Sequence, residues 1–433
     1  MADPRPCNGE KDAKRRCRKE EDGVRPSFLE RFFAKYEFTC EHMISCSDCQ
    51  AWTTREVLAV ADPECQAMWD ASTLGYTESL GHPKLLDEIR KHYTYRLGNA
   101  PSQIPVQITT CVPVEGIFVA MTALLSAGDR IIAMMPAYQA LYEIARSKRC
   151  CILPWTPHYS QTGFWEFRLS DLQSILDENI TADAPLKMLM INSPHNPTGA
   201  AFDQSQLDAV CELVTKLPQT EPAVIFSDEM YSEIIGPESP SMVGKARTVV
   251  LSGLSKPWGM PGLRMGWLIC SNSEDFKSMI SLRDYTTLCL PPHCEILSII
   301  TLRCPETFLV RNRQIAASNY LLLQKVLESL PHWFYPMNQH QQNDRPQTWR
   351  AAVVFGRLKL PLGGVAHGVP AQLQSISALA EHLAKEHSIC MAVSDFFEFD
   401  NFPCVRFGLG REAFPEALQK LQLALQKIAP GAQ

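Results

Sequence analysis

The chain has 433 residues, 45% of them hydrophobic and 20% charged, the proportions of a water-soluble folded protein with more than one packed core. A formal charge of −6 gives no electrostatic basis for holding nucleic acid. No apolar run reaches the roughly 18 residues that a membrane span needs.

The N-terminus is polar and basic, with Lys11, Lys14, Arg15, Arg16, Arg18 and Lys19, and no apolar stretch of a secretory signal follows. Residues 1–25 read as a disordered tail, too short to hold a helix-turn-helix, and the default compartment is the cytoplasm. Residues 26–74 read as an irregular lead-in with one or two helices. A helix is predicted over 83–97, where Leu85, Leu86, Ile89 and Tyr93 recur at helical spacing.

From there to about residue 304, short apolar runs at 130–135, 187–191, 223–226, 248–251 and 265–270 alternate with amphipathic stretches. One of these, 204–217, carries Leu207, Val210, Cys211 and Val214 on one stripe, with Asp203 as its predicted N-cap. Strands alternating with helices predict an α/β fold with a mostly parallel sheet, as a large domain over 75–305. After Pro305 come a long helix over 306–330, a polar loop at 338–347 and strands near 351–360 and 404–409. These predict a smaller α+β domain over 306–433, joined by 26–74.

Sixteen cysteines are scattered without a regular framework, several in apolar runs, such as Cys211, Cys270 and Cys289. Cys46 and Cys49, with Cys40 upstream, lack the second pair or the histidines of a zinc site. Reduced thiols and no metal are expected.

The chemistry-bearing residues lie at or just after strand ends, where open α/β sheets bind ligands. Lys256 follows an apolar run directly, between Ser255 and Pro257, with Arg264 eight positions on and Gly253, Gly259, Gly262 and Gly266 around it. Asn192-Ser193-Pro194-His195-Asn196-Pro197-Thr198-Gly199 is a turn after another run. Ser227-Asp228-Glu229-Met230-Tyr231 ends a third, and a buried aspartate there needs a cation or a helix to cap. Pro136-Ala137-Tyr138 closes a fourth.

Together these segments resemble the class I and II aminotransferases of fold type I, which use pyridoxal 5′-phosphate (PLP). The fold implied is a seven-stranded sheet sandwiched by helices plus the smaller domain. The resemblance makes Lys256 the Schiff-base lysine and Arg264 a phosphate partner, with Ser255 beside it. It sets Asp228 on the pyridine nitrogen, Asn196 and Tyr231 on the phenolic oxygen, and Tyr138 against the ring. Tyr76, in Gly75-Tyr76-Thr77, matches the tyrosine that reaches the phosphate of a neighbouring subunit, which implies a homodimer with shared sites. Arg406, in Val405-Arg406-Phe407-Gly408, matches the arginine that grips the substrate α-carboxylate. Trp52, Asp48 and Tyr285 are candidates for the substrate side, with Asp48 facing a cationic side chain. His195 reads as a neighbour rather than a catalyst.

The pattern departs from the family at the phosphate cup. The run Thr109 to Gly116 brings Pro113 and Val114 where a glycine and a hydroxyl residue are usual, and Gly253 replaces a hydroxyl residue. The amide of Val114 remains available, and Ser252, Ser255, Arg264 and Tyr76 carry more of the anion. Weak PLP binding is therefore expected.

Leu254-Ser255-Lys256, Gly262 to Trp267 and Leu282 to Leu288 resemble the branch containing capreomycidine synthase, whereas Tyr231 fits an ordinary aminotransferase. The freed lysine takes the α-proton in every such enzyme, leaving a carbanion spread into the ring above Asp228. Two outcomes stay open. One is transamination of an amino acid with a 2-oxo acid, in specialised metabolism. The other is elimination, cyclisation or oxidation of an arginine-like amino acid. A non-catalytic binding module is disfavoured by the intact Lys256, Asp228, Asn196, Tyr231 and Arg406.

Overall fold

The computed structural model describes residues 23–98, 106–160, 163–245, 247–337, 352–359, 373 and 375–428. Thirteen strands occur among them: β1 (His42–Met43), β2 (Gln107–Cys111), β3 (Arg130–Met134), β4 (Cys151–Trp155), β5 (His158–Tyr159), β6 (Trp165–Glu166), β7 (Leu186–Asn192), β8 (Val224–Asp228), β9 (Thr248–Gly253), β10 (Gly266–Cys270), β11 (Val353–Arg357), β12 (Ile389–Cys390) and β13 (Cys404–Gly408). Seven of them form one sheet in the order β2-β10-β9-β8-β7-β3-β4, in which only β10 runs against its neighbours. The α/β reading with a mostly parallel seven-stranded sheet holds.

The central strands are buried on both faces, which is why they read as continuous apolar runs. Successive residues serve opposite layers. Val249 and Leu251 of β9 pack with Ile117, Met121 and Leu141. Val250 packs with Leu85, Ile89, Leu207 and Ile296 on the other side. Helices Pro113–Leu124, Ala140–Ser147 and Ser273–Arg283 supply the first layer, and Pro83–Leu97, Leu169–Asn179, Gln204–Thr215 and Pro292–Arg303 the second. Asp203 caps Gln204–Thr215 in a reciprocal box with Gln206.

Two strands of the seven-stranded sheet escaped the sequence pattern, and both are its edges. β4 contains Pro154, a residue that only an edge strand tolerates. β2 is rich in threonine and reads as part of the loop beyond it. The lead-in holds three helices, not one or two: Phe28–Tyr36, Thr54–Leu58 and Pro63–Asp70. The expected tail ends early as well. Arg25 is fixed between Glu143, at 3.0 Å, and Glu398, at 2.7 Å. The basic cluster between Lys11 and Lys19, and the polar loop at 338–347, lie outside the described residues.

The two ends of the chain meet. β1 pairs with β12, and β11 pairs with β13 in a register that sets Phe355 opposite Arg406. Residues 44–50 then lie along the outgoing end of β13, where Gly408 N–H donates to Ile44 O at 2.8 Å and Gln50 N–H to Gly410 O at 2.7 Å. A Cβ on Gly408 would fall 1.6 Å from the Cys46 carbonyl oxygen, and one on Gly410 2.5 Å from Cys49 Cα. Glycine is required there for close approach, not for its dihedral freedom. Gly408→Ala should lower stability by about 1–3 kcal/mol in urea unfolding, the range of an overpacked core. An unchanged midpoint would mean that residues 44–50 shift freely.

Candidate active site

Three adjacent parallel strands end together and each delivers one polar group. Asn192 of β7 lies opposite Asp228 of β8, which lies opposite Leu251 of β9. The Asn192 side-chain amide donates to the Asp228 carbonyl at 3.1 Å, and its oxygen receives the Asn196 N–H at 2.7 Å. This local wiring turns the chain after β7 back over the strand ends and sets Asn196 there, buried.

The Asp228 carboxyl is 6% exposed and accepts the Met230 N–H at 3.0 Å. Burial pushes its pKa up to about 6, against the opposing pull of that N–H and of Lys256. Tyr231 is buried, and its hydroxyl has no hydrogen-bond partner. Beyond β9, the Ser255 hydroxyl is likewise buried and unpartnered. Lys256 extends its amine over the Tyr231 ring, 5.8 Å from the centroid, and donates to Ser47 Oγ at 2.8 Å.

Arg406 arrives from β13 and is 1% exposed. Its guanidinium donates to Ser45 O at 2.7 Å and to Asn196 Oδ1 at 3.2 Å, and its Nε has no partner. The rings of Phe33 and Phe397 flank it. No carboxylate among the described residues forms an ion pair with it, and burial lowers its pKa. A buried arginine without an acid, with one N–H unpartnered, can receive an anion brought from outside.

Other candidates are placed as follows. Tyr138 is half-buried and donates from its hydroxyl to Glu30 at 3.1 Å. Burial, then the charge of Glu30, pushes its pKa up, while Arg264 pulls it down. Arg264 is exposed after the short turn Pro261–Leu263 and donates to Pro261 O at 3.0 Å. Val114 is the second residue of Pro113–Leu124, and the first turn of that helix already holds a carboxylate. Glu115 accepts the Val112 N–H at 3.2 Å and the Thr287 N–H at 3.0 Å, along with the Thr286 hydroxyl.

Tyr76 is 90% exposed on a loop that buried Glu295 anchors through Thr77 and His82. Tyr285 is 88% exposed. The Trp52 indole packs under Arg311, at 3.3 Å, and edge-on to Phe308, and Asp48 is paired with Arg411 at 2.5 Å. His195 is buried against Thr198 and Phe167, and burial pushes its pKa down to about 3, so it stays neutral.

Lys256, Asp228, Tyr231, Asn196, Ser255 and Arg406 thus converge, while Trp52, Tyr76 and Tyr285 are not drawn in among them. Ser45, Ser47 and Glu30 went unnoticed in the sequence. They sit in the irregular lead-in, where no periodicity marks them, and the one local signal is the run Ile44-Ser45-Cys46-Ser47-Asp48.

This constellation at strand ends, an amine near a buried carboxyl and a buried guanidinium, could receive a ligand that carries both an amino group and an anion. The aminotransferase class I and II family model matches residues 49–334, well over half of the chain. The chain belongs to that family. It is 28% identical to capreomycidine synthase of Streptomyces vinaceus over 277 residues, 63% of this chain and 66% of that one. Tyrosine aminotransferase of Bos taurus is 25% identical over 383 residues, 83% of this chain and 77% of that one. Two solved structures share the fold. A PLP-dependent aminotransferase from Streptococcus suis has a TM-score of 0.75 at 23% identity, over 94% of this chain and 98% of that one. The PLP-dependent cyclase OrfR has a TM-score of 0.72 at 19% identity, over 94% and 99%.

The unpartnered groups fit PLP. Asp228 needs a cation, Tyr231 and Asn196 can reach an oxyanion, and Ser255 has a free hydroxyl for phosphate.

The Asp228 carboxyl generates a prediction for the protein without cofactor. Its folded pKa is about 6 against an ordinary 3.8, so between these values the folded state keeps a proton that the unfolded state has released. Stability therefore falls as pH rises through that window and stays lowered above it. Asp228→Asn removes the ionisation and keeps an acceptor for Met230. It should match the parent near pH 4 and exceed it by about 1–3 kcal/mol at pH 7 in urea unfolding. Parallel pH profiles for the two proteins would place the carboxyl in water.

Proposed function

We propose that the chain is a PLP-dependent aminotransferase that moves the amino group of an amino acid to a 2-oxo acid. The observation that carries this reading is the Lys256 amine held over Tyr231, with its charge felt by a buried Asp228 whose carboxyl is hydrogen-bonded by the Met230 N–H. PLP, when bound, supplies an aldehyde for an amine and a ring that withdraws electrons from the substrate α-carbon.

The residues divide the work. Lys256 would hold the cofactor and, once free, carry the substrate α-proton. Asp228 would keep a proton on the ring nitrogen, a cation that offsets its own buried charge. Tyr231 and Asn196 would hold the ring oxygen, and Tyr138 would lie against the ring. Ser255, Ser252, Arg264 and the Val114 amide would take the phosphate, joined by Tyr76 of the partner subunit. Arg406 would grip the substrate α-carboxylate. Glu115 at the helix start adds to the reasons for weak PLP binding, because it occupies the charge-favourable position that a phosphate would use.

The reading includes a cytoplasmic homodimer, supported by the exposure of Leu74, Tyr76 and Tyr285. No helix among the described residues is long and apolar enough to cross a membrane. Residues 75–305 would form a large domain, with 26–74 and 306–433 in a smaller one, and β1 pairing with β12 supports that grouping. A second reading, a cyclase or lyase of an arginine-like amino acid in specialised metabolism, is supported by the similarity to capreomycidine synthase. Against it, the Asp48 carboxylate expected to meet a cationic side chain is already paired with Arg411.

The test is visible absorption of the PLP-loaded protein during titration with a panel of amino acids, arginine included. A band absent from Lys256→Ala, and converted by one amino acid to the amine form of the cofactor, supports transamination. Product without that conversion supports the second reading, and no lysine-dependent band defeats both. A dissociation constant for PLP as tight as in ordinary aminotransferases would refute the weakened cup. Arg406→Lys should raise KM by about 10–100-fold, the worth of a lost bidentate charged contact. An unchanged KM would remove Arg406 from the carboxylate.

A further inference from the structure

We infer that Ser47 is a further catalytic residue, the hydroxyl that holds the Lys256 amine whenever that amine is free. The inference rests on the proposed function, and it concerns a residue outside the motifs that led to it.

The contact is built, not incidental. The Lys256 amine lies 2.8 Å from Ser47 Oγ. Hydrogen bonds to several elements fix the short segment that presents this hydroxyl. Ala392 N–H donates to Ser45 Oγ at 2.8 Å, and Ser45 Oγ donates to Arg406 O at 2.5 Å. Cys49 N–H donates to Lys256 O at 3.2 Å, and Gly408 N–H to Ile44 O at 2.8 Å. The segment therefore touches both the carboxylate-binding strand and the lysine loop, and it sets Ser47 between them.

A hydroxyl suits a lysine that must change its protonation state. It can accept from an ammonium and donate to the lone pair of a neutral amine. During reaction the neutral amine removes the substrate α-proton, the electron pair stays on carbon, and Lys256 becomes an ammonium. It later returns that proton and is neutral again. Ser47 ends each half unchanged, having turned its own O–H to match. A carboxylate in the same place would favour the ammonium and hold the proton.

The other groups facing the amine leave this task to Ser47. Asp228, whose own carboxyl feels the lysine charge, is committed to the Met230 N–H. Tyr231 presents its ring face at 5.8 Å. Asp48, the nearest acid in sequence, spends its charge on Arg411 at 2.5 Å. Glu37 and the Cys49 thiol also feel Lys256, but only as distant charges.

Three variants test the inference, Ser47→Ala, Ser47→Thr and Ser47→Asp. Two readouts are used. The first is the pH midpoint of Lys256 reductive methylation in cofactor-free protein, followed by mass spectrometry. The second is kcat and KM of the PLP-loaded protein with a reactive amino acid from the panel. Ser47→Ala should lower kcat about 10–100-fold with KM within about twofold, as for a misplaced proton-transfer group. Ser47→Thr should retain most of the rate. Ser47→Asp should raise the methylation midpoint and move the acid limb of kcat to higher pH by the same amount. A Ser47→Ala enzyme as fast as the parent overturns the inference. So does equal loss in all three variants without a change in the midpoint, which is what a purely structural role gives. If the parent shows no lysine-dependent band with PLP, the proposed function fails instead, and the methylation midpoints still decide whether Ser47 holds the amine.

Discussion

Two buried charges of opposite sign define this molecule, and they do not neutralise each other. Asp228 sits at the end of a central strand with one backbone N–H and the Lys256 charge near it, and Arg406 sits on a separate sheet with a carbonyl and an amide oxygen. Burying an unpaired charge costs several kcal/mol, and a folded chain retains such groups where something else completes them. The seven-stranded sheet fixes the aspartate, and the pairing of the chain ends fixes the arginine. The space between them is closed by Asn196, which hydrogen-bonds to Arg406 and is wired through Asn192 to the Asp228 carbonyl. One polar chain thus links the two charges without joining them.

The lead-in segment carries more of the site than its irregular character suggests. Residues 44–50 make no long strand, yet Ser45, Ser47 and Asp48 meet Arg406, Lys256 and Arg411 in turn. They can do so because Gly408 and Gly410 remove the side chains that would hold the two backbones apart. Farther upstream, Glu30 and Gln139 tie the helix Phe28–Tyr36 to the Tyr138 loop. Arg25 spans from Glu143 to Glu398 and so joins the sheet layer to the C-terminal part.

Legibility in the sequence follows from which forces act locally. The five central strands were readable because burial on both faces demands an apolar run. The edge strands β2 and β4 were not: β2 buries Thr109 and Thr110 with their hydroxyls hydrogen-bonded to backbone carbonyls, and β4 admits Pro154. Lys256, Asp228, Asn196 and Arg406 were recognisable because each follows or lies in a strand with unusual neighbours. Ser47 and Glu30 were not, since their importance arises from contacts across more than a hundred residues of chain. The partner that the structure gives Asp48 was hidden for the same reason. Nothing near it in sequence announces Arg411, whose guanidinium reaches it only after the C-terminal strand has folded back.

The phosphate end and the ring end of the proposed cofactor are held by different physics. At the ring end the protein offers a buried carboxyl, a buried hydroxyl and a lysine, all in low dielectric, where a single charge pair or hydrogen bond counts for most. At the phosphate end Arg264 is exposed, Pro113 donates no N–H, and Glu115 has already turned its carboxylate onto the Val112 amide. A phosphate there would share the helix terminus with a like charge that three donors hold in place. Under the proposed function, such an arrangement would shift retention of the cofactor from its anionic handle toward Lys256 and Asp228, and the link to the lysine would matter for occupancy as well as for chemistry.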